Sequence, residues 1–359
     1  MNSKRGVIMI GSQPPPVHGM SVVNAFMADK IEKSGCVPFK VDISATSLSR
    51  DYFSRVGRIK KILNGLIYAF STRDSWSSLY ISVSGGAGQI YEILFLILGR
   101  IFGDNIYIHH HSFAYLDRHA NITRALTWVG GSDAVHIVLC TKMGHMLESQ
   151  YKSVEKLFVL SNIVVCNAMA RSPREESDVK TIGYLSNISR EKGIYLYLDV
   201  VTRLIDKGLL VRGLIAGPFQ DKRTELDVLA KINKVSGIDY IGRVDGEAKN
   251  DFFDNIDVLL FPTNYKNEAE PLCIYESLQH GVPIISTDRG CLEDMHPLSI
   301  GLVVGKNDDF VNAAEGQMLF WLEDDFSLKK VSENCFRKFN ILRDKWIVQL
   351  NILVGMIVR

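Results

Sequence analysis

The chain has 359 residues, enough for two α/β domains of ordinary size, and a formal net charge of +1. So even a balance gives no support to nucleic-acid binding, and any basic patch must be local. The apolar content of 47% is that of a globular protein. The longest apolar stretches, 90–102 and 347–358, fall short of the ~20 residues a membrane span needs.

In chain order, residues 6–11 read as a strand whose apolar run is too short for a signal peptide. The loop 12–19 carries a proline run, which favours an extended path of low entropy. It ends at Gly19, which leaves room for a ligand to approach the backbone. Between the first strand and first helix of an α/β domain, such a loop serves equally well as a spacer or as a site. Residues 21–33 read as an amphipathic helix with Val22, Val23, Phe26, Met27 and Ile31 to one side. Residues 52–70 have helical apolar periodicity, with Arg55, Arg58, Lys60 and Lys61 interleaved. That pattern suits a helix packed on its own domain, and it also suits a helix lying in an anionic membrane interface. Residues 90–102 read as a buried helix. Further strands are expected at 37–42, 78–83, 105–109, 134–140 and 156–160. His109, His110 and His111 close the strand at 105–109. Alternation places His109 and His111 on one side and His110 on the other, so the three cannot converge on one ion. A purely structural hydrogen-bonding role stays open for at least one of them.

Residues 168–180 are polar, include a proline and read as a linker. A second set of strands follows near 181–184, 211–216, 239–241, 258–261 and 284–286, and then a helical tail over 325–359 that Trp346 could anchor. The expected fold class is α/β with two Rossmann-like domains, 1–167 and 168–330, and a C-terminal helix, 331–359. Two such halves facing each other leave a cleft suited to a two-part substrate. Six cysteines without a C-x-x-C pair argue against a zinc site.

The most informative stretch is 264–294. A polar loop follows the apolar run 258–261, Pro271 opens a short helix at its first position, Gly281 ends it, and a strand follows. Ligands of parallel sheets lie beyond the carboxyl ends of the strands, where this loop and helix start fall. The amides of Leu272, Cys273 and Ile274 at that start suit an anion such as a diphosphate. Glu276, a turn and a half in, lies on a half-buried stripe and needs a partner, for which sugar hydroxyls are one possibility. The two glutamates Glu268 and Glu276, taken alone, would also fit a plain crossover in which both are solvated.

Glu268 and Glu276 are separated by seven residues, and Glu276-Ser-Leu-Gln-His-Gly281-Val-Pro283-Ile-Ile-Ser-Thr287 runs on to Gly290 and Glu293. The block resembles the E-x7-E motif of retaining family-4 glycosyltransferases of the GT-B fold. Residues 183–193 resemble that family's G-R-L-x-x-x-K-G turn, with Tyr184 in place of its arginine and a loop longer by two residues. The resemblance implies two Rossmann-like domains facing across a cleft, the last helix crossing back to the first domain, and sugar transfer with retention from a nucleotide-diphosphate sugar to a hydroxyl of a glycan or lipid-linked acceptor. It implies that Glu276 holds the ribose, that Lys192 with the amides of Leu272 and Cys273 holds the diphosphate, and that Glu268 orients the sugar. His109 or His111 and Gly19 would contribute from the first domain, and Arg190 would replace the missing arginine. No metal or other cofactor is expected, and no D-x-D triplet occurs. Relatives that act on polyprenyl-diphosphate glycans raise the membrane reading of 52–70. The expected location is the cytoplasm, peripheral on the inner face of the membrane. A nucleotide-sugar epimerase or hydrolase of the same fold, and a non-catalytic nucleotide-sugar-binding partner, are the alternatives.

Overall fold

The computed structural model describes residues 6–15, 17–44, 52–168, 178–295 and 298–359, with no side chains described at 52–56 and 298. Pro16, the Arg55 side chain and most of the expected linker lie outside the described residues. Contacts divide the chain into two units. The first holds Met1–Val165, Lys266–Glu270 and Asp344–Arg359, and the second holds Cys166–Tyr265 and Pro271–Arg343.

The first unit runs β1 (Gly6–Gly11), α1 (Gly19–Lys33), β2 (Pro38–Asp42), α2 (Tyr52–Ser71), β3 (Trp76–Val83) and α3 (Gln89–Phe102). It continues with β4 (Asn105–His110), α4 (Ala114–Asp117), α5 (Asn121–Gly130), β5 (Val135–Val138), α6 (Thr141–Gln150) and β6 (Lys156–Val159). The sheet is wholly parallel, in the order β2-β1-β3-β4-β5-β6. β1 is buried along its length, as expected of a parallel strand covered on both faces. β2 and β3 flank it on opposite sides. The chain therefore reverses its course across the sheet between β1 and β3, and a crevice opens at their carboxyl ends.

The second unit runs β7 (Lys180–Leu185), α7 (Ile194–Asp206), β8 (Val211–Ala216), α8 (Lys222–Ile232), β9 (Ile238–Tyr240), α9 (Glu247–Asp254) and β10 (Val258–Phe261). α10 (Leu272–Gln279), β11 (Ile284–Thr287), α11 (Leu292–Met295), β12 (Gly301–Val304), α12 (Phe310–Glu323) and α13 (Asp325–Ile357) follow. Its parallel sheet has the order β12-β11-β10-β7-β8-β9, so the reversal lies between β7 and β10. The core includes Ile182, Tyr184, Val201, Ile215, Val258 and Ile285.

Several expectations are corrected. β12 adds an unforeseen edge strand; three half-buried residues and the buried Val304 leave too little pattern to read. Pro271 is the N-cap of α10, with an extended backbone (φ −71°, ψ 129°), and Leu272 is the first helical residue. α3 is not buried all round: Phe95 and Leu96 face inward, while Ile90, Leu94, Ile97 and Ile101 are exposed. The end of α13 is anchored in the first unit by buried Leu350, Leu353 and Ile357, and Tyr107 Oη donates to the Met356 carbonyl at 2.7 Å. Trp346, the expected anchor, is only partly buried, with Lys345 Nζ 5.2 Å from its ring.

Candidate functional site

In the second unit, the turn after β7 is locked to the loop after β10. Ser189 caps the single helical turn Arg190–Lys192 by accepting from the Lys192 amide at 3.3 Å. Gly193 adopts φ +81°, and a Cβ there would stand 2.0 Å from the Pro262 carbonyl oxygen, so only glycine fits. The Asn264 amide donates to the Glu191 carbonyl at 2.8 Å. These ties bring Lys192 beside Tyr265, its Nζ 4.6 Å from the ring centroid. Tyr184 does not take the place of a phosphate-binding arginine. It is fully buried, donates to the Lys192 carbonyl at 3.1 Å and accepts from Ser186 Oγ at 2.9 Å. Its function is to fix the lysine's backbone.

Arg190 lies against Tyr195 of α7, 5.6 Å from its ring, and not at Tyr265. The second cation at Tyr265 is Arg289, from the carboxyl end of β11, whose Nε donates to the Tyr265 carbonyl at 3.1 Å. At α10 no side chain caps the helix start, so Leu272 and Cys273 open it without a capping group. The Ile274 amide is engaged by the Pro271 carbonyl at 3.3 Å and drops out of the expected anion site. Glu276 has a protein partner: Lys249 of α9 donates to its Oε1 at 2.6 Å. Burial pulls the Lys249 ammonium down, but the charge and hydrogen bond of Glu276 outweigh it, and the net direction is up.

Glu268 is 8% exposed and belongs to the five loop residues that cluster with the first unit. The loop is pinned on both sides of it. Asn267 Oδ1 accepts from Ser112 Oγ at 3.0 Å, and the Glu270 carboxylate accepts from Ser161 Oγ at 2.9 Å and the Asn162 amide at 2.5 Å. A third glutamate, Glu270, thus serves the loop's shape.

In the first unit, His18 caps α1 in a reciprocal box with Ser21, and the space beside Gly19 is open. The Pro14–Pro15 bond is cis. Asn24 ties the loop down, donating to the Ser12 carbonyl at 2.9 Å and accepting from Ser82 Oγ. His109 and His111 share one side as alternation requires, with ring centroids 4.1 Å apart. His109 Nδ1 meets Tyr80 Oη at 2.5 Å. His110 points the other way, to Tyr115 Oη at 2.8 Å and to His136 Nδ1 at 2.9 Å. His109 and His110 are fully buried, and only His111 keeps partial exposure. Burial, with like-charge repulsion from His18, holds His111 at about 3. It is therefore a neutral hydrogen-bonding group near pH 7 and too weak a base for proton abstraction. Behind the β3 loop, buried Glu92 accepts from the Ser84 amide at 3.0 Å and Ser84 Oγ at 2.6 Å. Burial raises it to about 7 against those bonds and the charge of Arg58.

Among the described residues no three His, Cys, Asp or Glu side chains are grouped to hold a metal ion. A cavity of about 520 Å³ lined by Leu198, Asp199, Arg203 and Lys231 contains none of the site residues. Lys249, Glu270 and Arg289 escaped the sequence reading. The only hint was for Arg289, which stands in the glycine-containing stretch after β11.

Residues 179–324, nearly all within the second unit's span, match the model of the family described as glycosyl transferases group 1, and the two sheets together form the GT-B fold. No curated protein sequence matches the chain. Among solved structures it is similar to sucrose-phosphate synthase from Thermosynechococcus elongatus, at 12% identity, with 98% of each chain covered and a TM-score of 0.76. It is also similar to HepE of Anabaena in complex with UDP, at 10% identity, covering 98% of this chain and 99% of that one, TM-score 0.72. A glycosyltransferase from Rickettsia africae gives 15% identity, 99% and 98% coverage, and a TM-score of 0.69. At these identities the likeness establishes the fold, and with the family match it supports a glycosyltransferase.

Proposed function

We propose that the protein moves a glycosyl group from a nucleoside diphosphate sugar to a hydroxyl of a glycan or polyprenyl-diphosphate-linked acceptor, with retention, during assembly of a bacterial surface polysaccharide. The observation that carries this is the cluster at the β7/β10 reversal: Lys192 and Arg289 meet at Tyr265, in the β10–α10 connection that leads to the uncapped start of α10, inside the segment that matches the glycosyltransferase model. Two cations and a helix start form a site for a diphosphate. Glu276 takes the ribose hydroxyls, with Lys249 holding its Oε1 so that the carboxylate is oriented before the nucleotide arrives. Glu268 orients the sugar, and Gly19 and His111, with His109 supporting His111, are the further first-unit residues assigned to it.

In this reaction the bond between the anomeric carbon and the diphosphate oxygen breaks and the acceptor oxygen bonds to that carbon. The acceptor proton passes to the departing diphosphate, since His111 is too weakly basic to take it. Lys192 and Arg289 stabilise the charge that grows on the leaving group, so no metal is assigned. The HepE structures that hold UDP, UDP with glucose, and UDP-glucose support a nucleotide-sugar donor. The likeness to WaaG, a glycosyltransferase involved in lipopolysaccharide biosynthesis, supports the polysaccharide setting. We place the protein in the cytoplasm, at the inner face of the membrane.

The test is a thermal-shift screen of nucleotide sugars, followed by turnover of the donor that stabilises the protein, with and without acceptor and in excess EDTA. Acceptor-dependent nucleoside diphosphate release that survives EDTA is expected. Equal release without acceptor would mark a hydrolase, and no stabilisation by any nucleotide sugar would remove the reading.

A further inference from the structure

α2 and α3 lie side by side with their ends in register. Arg58 of α2 stacks over Tyr91 of α3 at 5.5 Å near one end, and Phe70 meets Phe102 edge-on at 5.7 Å at the other. At the middle, a Cβ on Gly65 would stand 3.2 Å from the Phe95 ring, so the helices touch without a spacer. α5 packs along the other flank of α3. The outward face of these three helices is apolar where a surface is ordinarily polar. Leu63 and Ile67 of α2, Leu94, Ile97 and Ile101 of α3, and Trp128 of α5 are all exposed, Trp128 at 75%. A contiguous patch of this kind marks an interaction surface.

The charges around the patch choose its partner. Across the three helices, Arg58, Lys60, Lys61, Arg100 and Arg124 are set against one carboxylate, Glu92, which is buried and faces inward; the exposed carboxylates Asp74, Asp104 and Asp133 stand in the turns beyond the helix ends. Lys61 and Arg100 are paired with Asp42 and Asp133, while Lys60 and Arg124 are exposed at the patch itself. A second copy of the chain meeting this face through a two-fold axis would set like charges against each other. An anionic lipid surface presents the opposite sign to the cations and an acyl boundary to the side chains between them.

We propose that the α2–α3–α5 face is a lipid-docking surface centred on α3, with its apolar side chains in the headgroup–acyl boundary of an anionic bilayer and Trp128 at the interface. This deepens the membrane part of the proposed function and rests on that reading only for the identity of the acceptor. It moves the centre of the contact from the basic helix α2 to the neighbouring helix α3.

The test is co-sedimentation of the full chain with phosphatidylcholine vesicles that contain or lack phosphatidylglycerol, with neither donor nor acceptor present. Ile97→Ser with Trp128→Ser should lower binding to anionic vesicles at least tenfold, and Lys60→Ser with Arg124→Ser should abolish the preference for anionic over neutral vesicles. All four positions are exposed, so thermal melts should match wild type and report that folding is intact. Failure of the wild type to bind anionic vesicles, or binding unchanged in the apolar variant, would overturn the proposal. So would a lipid-free dimer that the same apolar substitutions dissociate, which would assign the face to self-association. Because no sugar is present, a negative result leaves transfer to a soluble acceptor unaffected, and failed transfer leaves vesicle binding unaffected.

Discussion

Mild acid should destabilise the first unit, and the buried histidines set the amount. His109 and His110 are held well below their ordinary 6.5, His111 at about 3 and His136 at about 4, in each case mainly by burial. Unfolding therefore lets each imidazole bind a proton that the native state refuses. The stability tied to this exclusion is complete above pH 6.5 and drains away as pH falls from there toward the folded values. Glu92 works in the opposite sense. Its carboxyl is raised from 4.5 to about 7, so between these values the native state holds the proton and gains stability as pH falls. Four histidines outweigh one carboxyl. At about 1.4 kcal/mol per proton and pH unit, with the gradual titration of the unfolded imidazoles included, the net loss from pH 7 to 5.5 is about 3 kcal/mol. That is a large share of the ~5–15 kcal/mol that holds an ordinary domain together. Urea unfolding at several pH values, in wild type and His136→Gln, measures it. Glutamine keeps a polar group facing His110 but cannot take up the proton, so the variant should lose about 1 kcal/mol less over that range. Identical pH profiles for the two proteins would refute the reasoning, and so would a wild-type stability that is flat from pH 7 to 5.5.

The strand–loop–helix–strand unit that carries Glu268 and Glu276 was legible because each of its parts has a local cause. Buried parallel strands read as continuous apolar runs, and Gly281, at φ +66°, is the residue a helix end with that geometry requires. The side of each histidine was legible for the same reason, since alternation along a strand is local. What the sequence concealed was pairing at a distance. Glu276 finds Lys249, 27 positions away, and only the packing of α9 beside α10 makes them neighbours. Arg289 reaches Tyr265 because β11 lies beside β10 in the sheet, whereas Arg190, nearer to Lys192 in sequence, turns to Tyr195. α3 misled for a different reason. A helix that is apolar all round has no polar stripe to mark its outer face, so the pattern is the same whether that face meets protein or something else.

Two predictions concern the proposed nucleotide site. Glu276→Gln should weaken binding of the nucleoside diphosphate by roughly 10–100-fold, the equivalent of a charged hydrogen bond at about 1.5–3 kcal/mol, while the melting temperature stays near wild type; isothermal titration with unchanged affinity would contradict the ribose role. The other separates the two candidate arginines. If the leaving diphosphate is held at Tyr265, Arg289→Ala should lower kcat/KM by about 100-fold, as loss of one preorganised charge-stabilising donor does, and Lys192→Ala should do the same. Their double variant should fall short of the product of the single effects, because both cations act on one anion and the pair is coupled. Arg190→Ala should cost little, since its guanidinium rests on an aromatic ring of α7 and not at Tyr265. A steady-state comparison of the four proteins decides the matter: a larger loss from Arg190→Ala than from Arg289→Ala would move the anion site away from Tyr265 and onto the outer side of the β7 turn.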